Sequence, residues 1–152
     1  MSAAAPRVVV GVDGSAESLS ALQFAAEEAR LRDAQLEIVY VWSASSADYV
    51  GEAFAPTPDA FTAAERHADD ALRAAIAQLP ADVRSTARRI TIEGHASTEL
   101  VAHSDGAALL VLGSRGRSAA ASLLLGSVSQ AVAHHVRCPL AIVPPATRDC
   151  CR

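Results

Sequence analysis

Lysine is absent from this sequence of 152 residues; its 13 cationic residues are all arginine, against 17 acidic ones. A net charge of −4 without a basic tract argues against general nucleic-acid binding, because neutralising phosphates requires clustered cations. The missing lysine also excludes a Walker A loop, which needs Gly-Lys-Ser/Thr. No apolar run reaches the roughly 18 residues of a membrane span, and residues 1–6 lack the pattern of a signal peptide. We therefore expect a cytoplasmic protein with no membrane partner.

Cysteine and aromatic residues are also few. Cys138, Cys150 and Cys151 show neither metal-ligand spacing nor the even count of a disulfide framework, which favours reduced thiols in the cytosol. Aromatic residues make up only 4% of the chain, so a core must be built from Val, Leu, Ile and Ala. A G-x-S-x-G elbow and a G-x-G-x-x-G after the first strand are both missing. Their absence argues against an α/β-hydrolase nucleophile and against the dinucleotide fingerprint.

Short apolar runs alternate with helical patterns along the chain. The order β-α-β-α-β-α-β-α-β predicts one α/β domain with a parallel sheet, helices on both faces and right-handed crossovers. The predicted strands are 7–13, 35–42, 89–92, 107–112 and 140–143, and the predicted helices are 15–32, 64–79, 97–103 and 126–135. We place the domain at residues 6–145, with a flexible N-terminus at 1–5, a long loop at 43–59 and a disordered tail at 146–152.

Two loops follow strands at the carboxyl edge of the predicted sheet, where doubly wound folds bind ligands. The first is Gly11–Ser15, and the second is Gly113–Arg117 continued by Gly126–Ser129. Glycines in the second loop can take positive φ, their N–H groups can form an anion nest, and the helix N-terminus beside them favours phosphate. The hydroxyls of Ser127 and Ser129 would add donors. The alternative is that these are ordinary strand-to-helix turn glycines.

The spacing of this second loop, Gly113-x2-Gly116-x9-Gly126-Ser127, resembles the ATP-binding motif of the universal stress protein family. The flanking stretches VLGSRGR and LLLGSVSQAVAHHVRCPLAIV are similar to that family's, and so is the N-terminal VVVGVDGSAESLSAL. The resemblance covers about residues 6–145. It implies a Rossmann-like, adenine nucleotide alpha hydrolase-like domain with a doubly wound five-stranded parallel sheet in the order 3-2-1-4-5. It also implies that the domain binds ATP together with Mg²⁺.

The resemblance assigns roles to individual residues of this sequence. The phosphates and ribose would be surrounded by Gly113, Arg115, Gly116, Gly126, Ser127 and Val128. Asp13 would lie by the ribose or hold Mg²⁺ together with the phosphates; from the residues alone, it could instead cap the turn into the first helix. Val12 and Val41 would contribute backbone and apolar contacts near the adenine. The expected site is completed by Gly11, Arg117 and Ser129.

The expected function is a nucleotide-dependent regulatory or stress-response role. We expect no enzyme beyond slow ATP hydrolysis, because no general base, lysine or arginine finger is evident. The alternatives are an ATP-using enzyme of the same nucleotide-binding superfamily, a cyclic-AMP-binding protein and a nucleotide-free protein-interaction module. Tyr40 and Trp42 could stack on adenine, but we predict that they pack under the 43–59 loop instead.

The last predicted strand, Leu140–Val143, would form an apolar edge of the sheet. Such an edge invites pairing with another chain, and in the resembled family this strand often joins two subunits. We therefore expect a homodimer that acts on a protein partner of unknown identity.

Overall fold

The computed structural model describes residues 5–43, 57–116 and 125–146. Its elements are β1 (Arg7–Gly11), α1 (Ala16–Leu31), β2 (Gln35–Trp42), α2 (Pro58–Ala77), α3 (Ala81–Thr86), β3 (Arg88–Glu93), α4 (Ala96–His103), β4 (Leu109–Gly113), α5 (Ser127–His135) and β5 (Leu140–Val143). The strands pair in parallel in the order β3-β2-β1-β4-β5, which confirms the doubly wound sheet. The predicted flexible N-terminus, the tail with Cys150 and Cys151 and the 43–59 loop lie largely outside the described residues.

The central strands are apolar on both sides because helices cover both faces of the sheet. Val8, Val9 and Val10 of β1 are all fully buried. Successive side chains of a strand point to opposite faces, so Val8 and Val10 join the core cluster beside α1 and α2, whereas Val9 joins the cluster beside α4 and α5. The two neighbours of β1 are β2 and β4, which continue the sheet in opposite directions. The switch point of the fold therefore lies at the carboxyl ends of β1 and β4.

Several element boundaries differ from the prediction. The helix α2 begins at Pro58 instead of 64, because the side chain of Thr57 caps it by accepting a hydrogen bond from the Ala60 amide at 3.2 Å. Proline fits the first helical position, where its missing N–H is not needed. The short helix α3 was not predicted, because none of its residues is buried and no apolar periodicity marks it. The strand β3 accordingly begins at Arg88, after that helix.

The two edges of the sheet differ in character. The strand β5 lies at one edge, as predicted, and all four of its residues are half-buried. The opposite edge is β3, which exposes Arg88, Arg89 and Glu93. Charges on an edge strand discourage pairing with other chains, whereas an apolar edge does not. Among the helices that the structure describes, none combines the length and the hydrophobicity needed to cross a bilayer.

Candidate functional site

A cleft with a volume of about 260 Å³ opens at the switch point of the sheet. Its lining consists of Gly11, Val12, Asp13, Ser18, Val39, Val41, Ala96, Leu100, Leu112, Gly113, Arg115, Gly116, Gly126, Ser127, Val128 and Ser129. Every predicted site residue lines this cleft except Arg117, which lies outside the described residues. The prediction did not include five of the lining residues, which are Ser18, Val39, Ala96, Leu100 and Leu112.

Close approach, and not backbone conformation, explains the glycine at the end of β4. Gly113 and Gly116 can take positive φ, but neither does so in the structure. A Cβ added to Gly113 would lie 2.9 Å from the carbonyl carbon of Glu17, which belongs to the backbone of α1. The first turn of α1 therefore packs directly on the end of β4, where no side chain fits.

The carboxylate of Asp13 is held at the entrance to α1 by a small network. Its Oδ1 accepts a hydrogen bond from the Ser15 amide at 2.9 Å, and the Asp13 amide donates to the Ser18 hydroxyl at 3.3 Å. The Ser18 hydroxyl donates in turn to the Ser15 carbonyl at 2.9 Å. A Cβ added to Gly116 would lie 2.7 Å from Asp13 Oδ2. Asp13 thus caps the turn, as the alternative interpretation held, and also lines the cleft beside the second loop.

The N-terminus of α5 forms the polar end of the cleft. Gly126 precedes Ser127 as the N-cap residue, and among the described residues no side chain accepts a hydrogen bond at this cap. The first-turn N–H groups and the positive end of the helix dipole are therefore not neutralised by a capping side chain. The Gly126 amide donates to the Ser114 carbonyl at 2.6 Å, which joins the start of α5 to the loop after β4.

Ser129 has a different role from the expected one. Its hydroxyl donates to the Gly113 carbonyl at 2.7 Å, and only 4% of the residue is exposed. The hydroxyl hydrogen is therefore used in the hydrogen bond that joins α5 to β4. Ser129 could accept a hydrogen bond from a ligand but could not donate one. Ser127, at the start of the helix, makes no comparable contact with β4 among the hydrogen bonds of the described residues.

Apolar side chains form the opposite end of the cleft. Val39 and Val41 point from β2 to the α4 side of the sheet, where Leu100 and Leu112 complete the surface. Tyr40 points to the other face and is buried between the sheet and the helices α1 and α2.

Trp42 also points away from the cleft. Its ring packs edge-on against Phe61 of α2, with the ring centroids 4.9 Å apart. Tyr40 and Trp42 therefore pack on the face opposite the cleft, and neither lines it, whereas most of the 43–59 loop, under which we predicted that they pack, lies outside the described residues.

The formal charges of the cleft lining cancel. Within the described lining, Asp13 is the one carboxylate and Arg115 the one guanidinium, so the net formal charge is zero. The dipole of α5 adds a partial positive charge at the helix N-terminus. No group of three or more His, Cys, Asp or Glu side chains suited to a metal ion occurs in the part of the chain that the structure describes. A cation bound at this cleft would therefore need ligand atoms from the bound molecule as well as Asp13.

A doubly wound sheet that opens into a cleft at its switch point is the arrangement in which α/β domains of this class bind ligands. The profile of the Universal stress protein family matches residues 5–144 of this domain. The chain therefore belongs to the universal stress protein family.

Similar proteins agree with this assignment. Universal stress protein Rv2005c of Mycobacterium tuberculosis is 33% identical over 141 residues, which cover 90% of this chain and 47% of the relative. This chain thus spans about half the length of the curated relatives it matches. UspA from Lactobacillus plantarum has the same fold, with a TM-score of 0.75 and 23% identity over 93% of this chain and 99% of that chain. A universal stress protein solved in complex with cAMP is 31% identical, with a TM-score of 0.57 over 95% of this chain and 100% of that chain.

Proposed function

We propose that this protein binds an adenine nucleotide in the cleft at the switch point, with ATP and Mg²⁺ as the leading ligand. The observation that carries the proposal is the pairing of an apolar end with an uncapped helix N-terminus inside one cleft of about 260 Å³. A volume of this size lies near the lower limit of roughly 300 Å³ for small-molecule sites, which suits one mononucleotide better than a dinucleotide. The bound nucleotide would regulate a surface that a protein partner recognises.

The apolar end would hold the adenine. Val41 is half-buried and would offer aliphatic surface to the base, beside the buried Val39 and Leu100, and burying that surface contributes about 25 cal/mol per Å². Val12 lies at the carboxyl end of β1, where its amide is already occupied by the Val39 carbonyl at 2.9 Å. Its side chain is buried in the core cluster beside α1 and α2, so its contribution to the base would come from its carbonyl.

The polar end would hold the phosphates. Amides of the first turn of α5 and the guanidinium of Arg115 are donors that suit phosphate oxygens. Asp13 lies beside Gly116, where it can accept from a ribose hydroxyl or share a Mg²⁺ ion with the phosphates. Mg²⁺ commonly takes one or two carboxylates plus phosphate oxygens and water, so a single protein carboxylate is sufficient.

Cyclic AMP is the second candidate. The described cleft carries no net formal charge, which suits a singly charged phosphodiester better than a triphosphate without its metal ion. A relative of 31% identity was solved with cAMP, which adds support for this ligand.

Isothermal titration with ATP plus Mg²⁺, ADP and cAMP tests both candidates. We expect tight binding of one class, weakened by Arg115→Gln and not by Arg84→Gln, which removes an exposed arginine of α3. ATP binding that is preferred and Mg²⁺-dependent would support the first candidate, and a preference for cAMP would support the second. Absence of binding by all three at millimolar concentration would overturn the proposal and favour a nucleotide-free interaction module.

We propose further that the protein is not an enzyme beyond slow ATP hydrolysis. The sequence has no lysine, and the described cleft has one carboxylate, whose Oδ1 is already engaged by the Ser15 amide at 2.9 Å. Efficient phosphoryl transfer normally uses a lysine, metal ligands and a group that positions the nucleophile. Steady-state turnover of ATP well above about 1 s⁻¹, in the kinase range, would contradict this and favour an ATP-using enzyme.

A homodimer through β5 is the third part of the proposal. The strand LAIV offers an apolar edge, and the curated relatives are about twice as long as this chain, so a second copy would match their size. Light scattering should give about twice the 15.7 kDa of one chain. A mass of one chain at micromolar concentration would contradict the dimer. We expect this dimer in the cytoplasm, which fractionation of cells that express the protein would test.

A further inference from the structure

Helix α4 has one end at the cleft and the other at a buried ion cluster. Ala96, its first residue, and Leu100 line the cleft, whereas His103, its last residue, contacts Glu37 of β2. We infer that Glu37, acting through His103, positions α4 and thereby sets the wall of the cleft that Ala96 and Leu100 form. The effect on ligand affinity rests on the proposed nucleotide binding, but the position of the helix can be measured without ligand.

Glu37 is the one charged residue that is buried in the described part of the chain. Its Oε2 lies 2.9 Å from Arg7 Nη1 of β1 and 2.9 Å from His103 Nε2, and its Oε1 lies 3.4 Å from Arg88 Nη1 of β3. An ionised carboxylate only accepts hydrogen bonds, so the His103 ring must carry its hydrogen on Nε2. Three elements therefore converge on one carboxylate. Two of them also line the cleft, β1 through Gly11 and α4 through Ala96 and Leu100, and α4 is the one that places side chains there.

The surroundings of Glu37 stabilise the ionised form of its carboxyl group. Burial raises the pKa of its carboxyl, but the hydrogen bonds from Arg7 and His103 lower the pKa by more, so that the group stays ionised at neutral pH. An ionised carboxylate is a strong acceptor in partly buried surroundings. The contact with His103 is thus a directional anchor, which apolar packing alone does not provide.

The geometry of α4 carries the effect of this anchor to the cleft. The helix has only eight residues, about 12 Å, so a displacement at its last turn also moves its first. Leu100 lies three residues before His103, one turn away on the same side of the helix. After the helix, Gly106 takes a φ of +72°, a conformation that other residues rarely adopt. The chain turns sharply there, so we assign the lateral position of the last turn to the His103 contact and to packing against β2 and α5.

Glu37 also shares a face of β2 with the apolar end of the cleft. Val39 and Val41 follow it at intervals of two residues, and alternate residues of a strand point to the same side. The anchor and the cleft floor thus belong to one rigid strand. A helix anchored to Glu37 therefore keeps a fixed position relative to the β2 surface that it faces across the cleft.

The test compares three variants of the full chain. His103→Leu removes the donor to Glu37, His103→Gln keeps an N–H donor of similar reach, and Arg88→Gln removes another partner of Glu37 without changing α4. The ligand-free readout is the amide and methyl resonances of Ala96 and Leu100, and the ligand readout is the Kd for the preferred adenine nucleotide. Thermal unfolding of each variant reports the loss of stability separately.

We expect His103→Leu to shift the Ala96 and Leu100 resonances and to weaken binding by about three- to tenfold. His103→Gln should largely restore both, and Arg88→Gln should leave both unchanged even where it lowers the unfolding temperature. Unmoved resonances in His103→Leu, or equal losses of affinity in His103→Leu and Arg88→Gln, would overturn the positioning role. If the wild-type protein binds no nucleotide, the proposed function fails, while the resonances still decide whether Glu37 positions α4.

Discussion

The two ends of the same parallel sheet use polar residues in opposite ways. At the amino end, Glu37 is buried and is in contact with Arg7, Arg88 and His103. At the carboxyl end, the N-terminus of α5 lacks a side-chain cap and faces a cleft. Polar side chains at the first end are paired within the protein, whereas at the second end the first-turn N–H groups of α5 have no side-chain cap among the described residues and can serve a ligand.

This difference indicates which polar residues serve the fold and which serve binding. A buried charge must be paired, because an unpaired one is strongly destabilising. Backbone N–H groups at a helix N-terminus beside an open cleft can bind water until an anion replaces it. We therefore expect substitutions at the amino end to affect mainly stability and substitutions at the carboxyl end to affect mainly ligand binding.

The largest effect should come from Glu37→Leu. Removing the carboxylate leaves the partly buried guanidinium of Arg7 without a charged partner, so we expect the free energy of unfolding to fall by about 2–3 kcal/mol. Urea unfolding followed by circular dichroism measures the loss. The matched control is Glu27→Leu, which removes an exposed glutamate that pairs with Arg30 at 3.0 Å and should change stability little. Equal stability of the two variants would show that the cluster is not the main polar contribution at the amino end.

Gly113→Ala, although it lies at the carboxyl end, should reduce both stability and nucleotide binding. The added Cβ would lie 2.9 Å from a backbone atom of Glu17, which cannot rotate away. We expect a loss of about 1–3 kcal/mol in unfolding free energy, as for overpacked cores. Nucleotide binding should weaken as well, because Asp13 lies in the turn that leads into α1 and would move with it. Wild-type stability would mean that α1 and β4 separate without cost, contrary to the packing described.

The sequence predicted the strands better than the helices around them. The strands β2 and β5 have the predicted bounds, because each is a short apolar run between clear turn residues. The helix α3 gave no such signal, since it buries no residue.

The carboxyl-end site could largely be found from the sequence, because the glycines and serines of the second loop lie close together along the chain. The amino-end cluster could not. The partners of Glu37 lie 30, 51 and 66 residues away from it, and the glutamate looks like any polar residue in a strand. Leu100 was missed for a similar reason, because an apolar helix residue carries no local sign that it faces a ligand. Only the fold brings these residues together.

Gly116→Ala should affect binding with little change in stability. The new methyl group would lie 2.7 Å from Asp13 Oδ2, the end of a side chain that can move away. We expect an affinity loss of about tenfold, because the carboxylate would leave its place beside the cleft, whereas the unfolding free energy should change by less than about 0.5 kcal/mol. Calorimetric titration and urea unfolding of the same preparation measure both quantities. Unchanged affinity would show that Asp13 does not contribute to nucleotide binding.

The smallest effect should appear in the pH dependence of the unfolding free energy at acidic pH. Because the pKa of Glu37 is lower in the folded protein than its ordinary value of 4.5, its contribution is complete above that value and is lost as the pH falls through the folded pKa. Between about pH 5 and about pH 3, wild-type protein should therefore lose more unfolding free energy than Glu37→Gln, which cannot titrate at this position. Parallel pH profiles for the two proteins would show that Glu37 does not contribute to acid unfolding.

A titration of ¹⁵N-labelled protein with adenine nucleotides is the most direct test of the contrast between the two ends. We predict that ATP with Mg²⁺, or cAMP, shifts the backbone amide resonances of Gly113–Gly116 and Gly126–Ser129 while those of Arg7 and Arg88 remain in place. If millimolar nucleotide leaves the first set unmoved, or shifts the second set equally, the cleft is not the binding site.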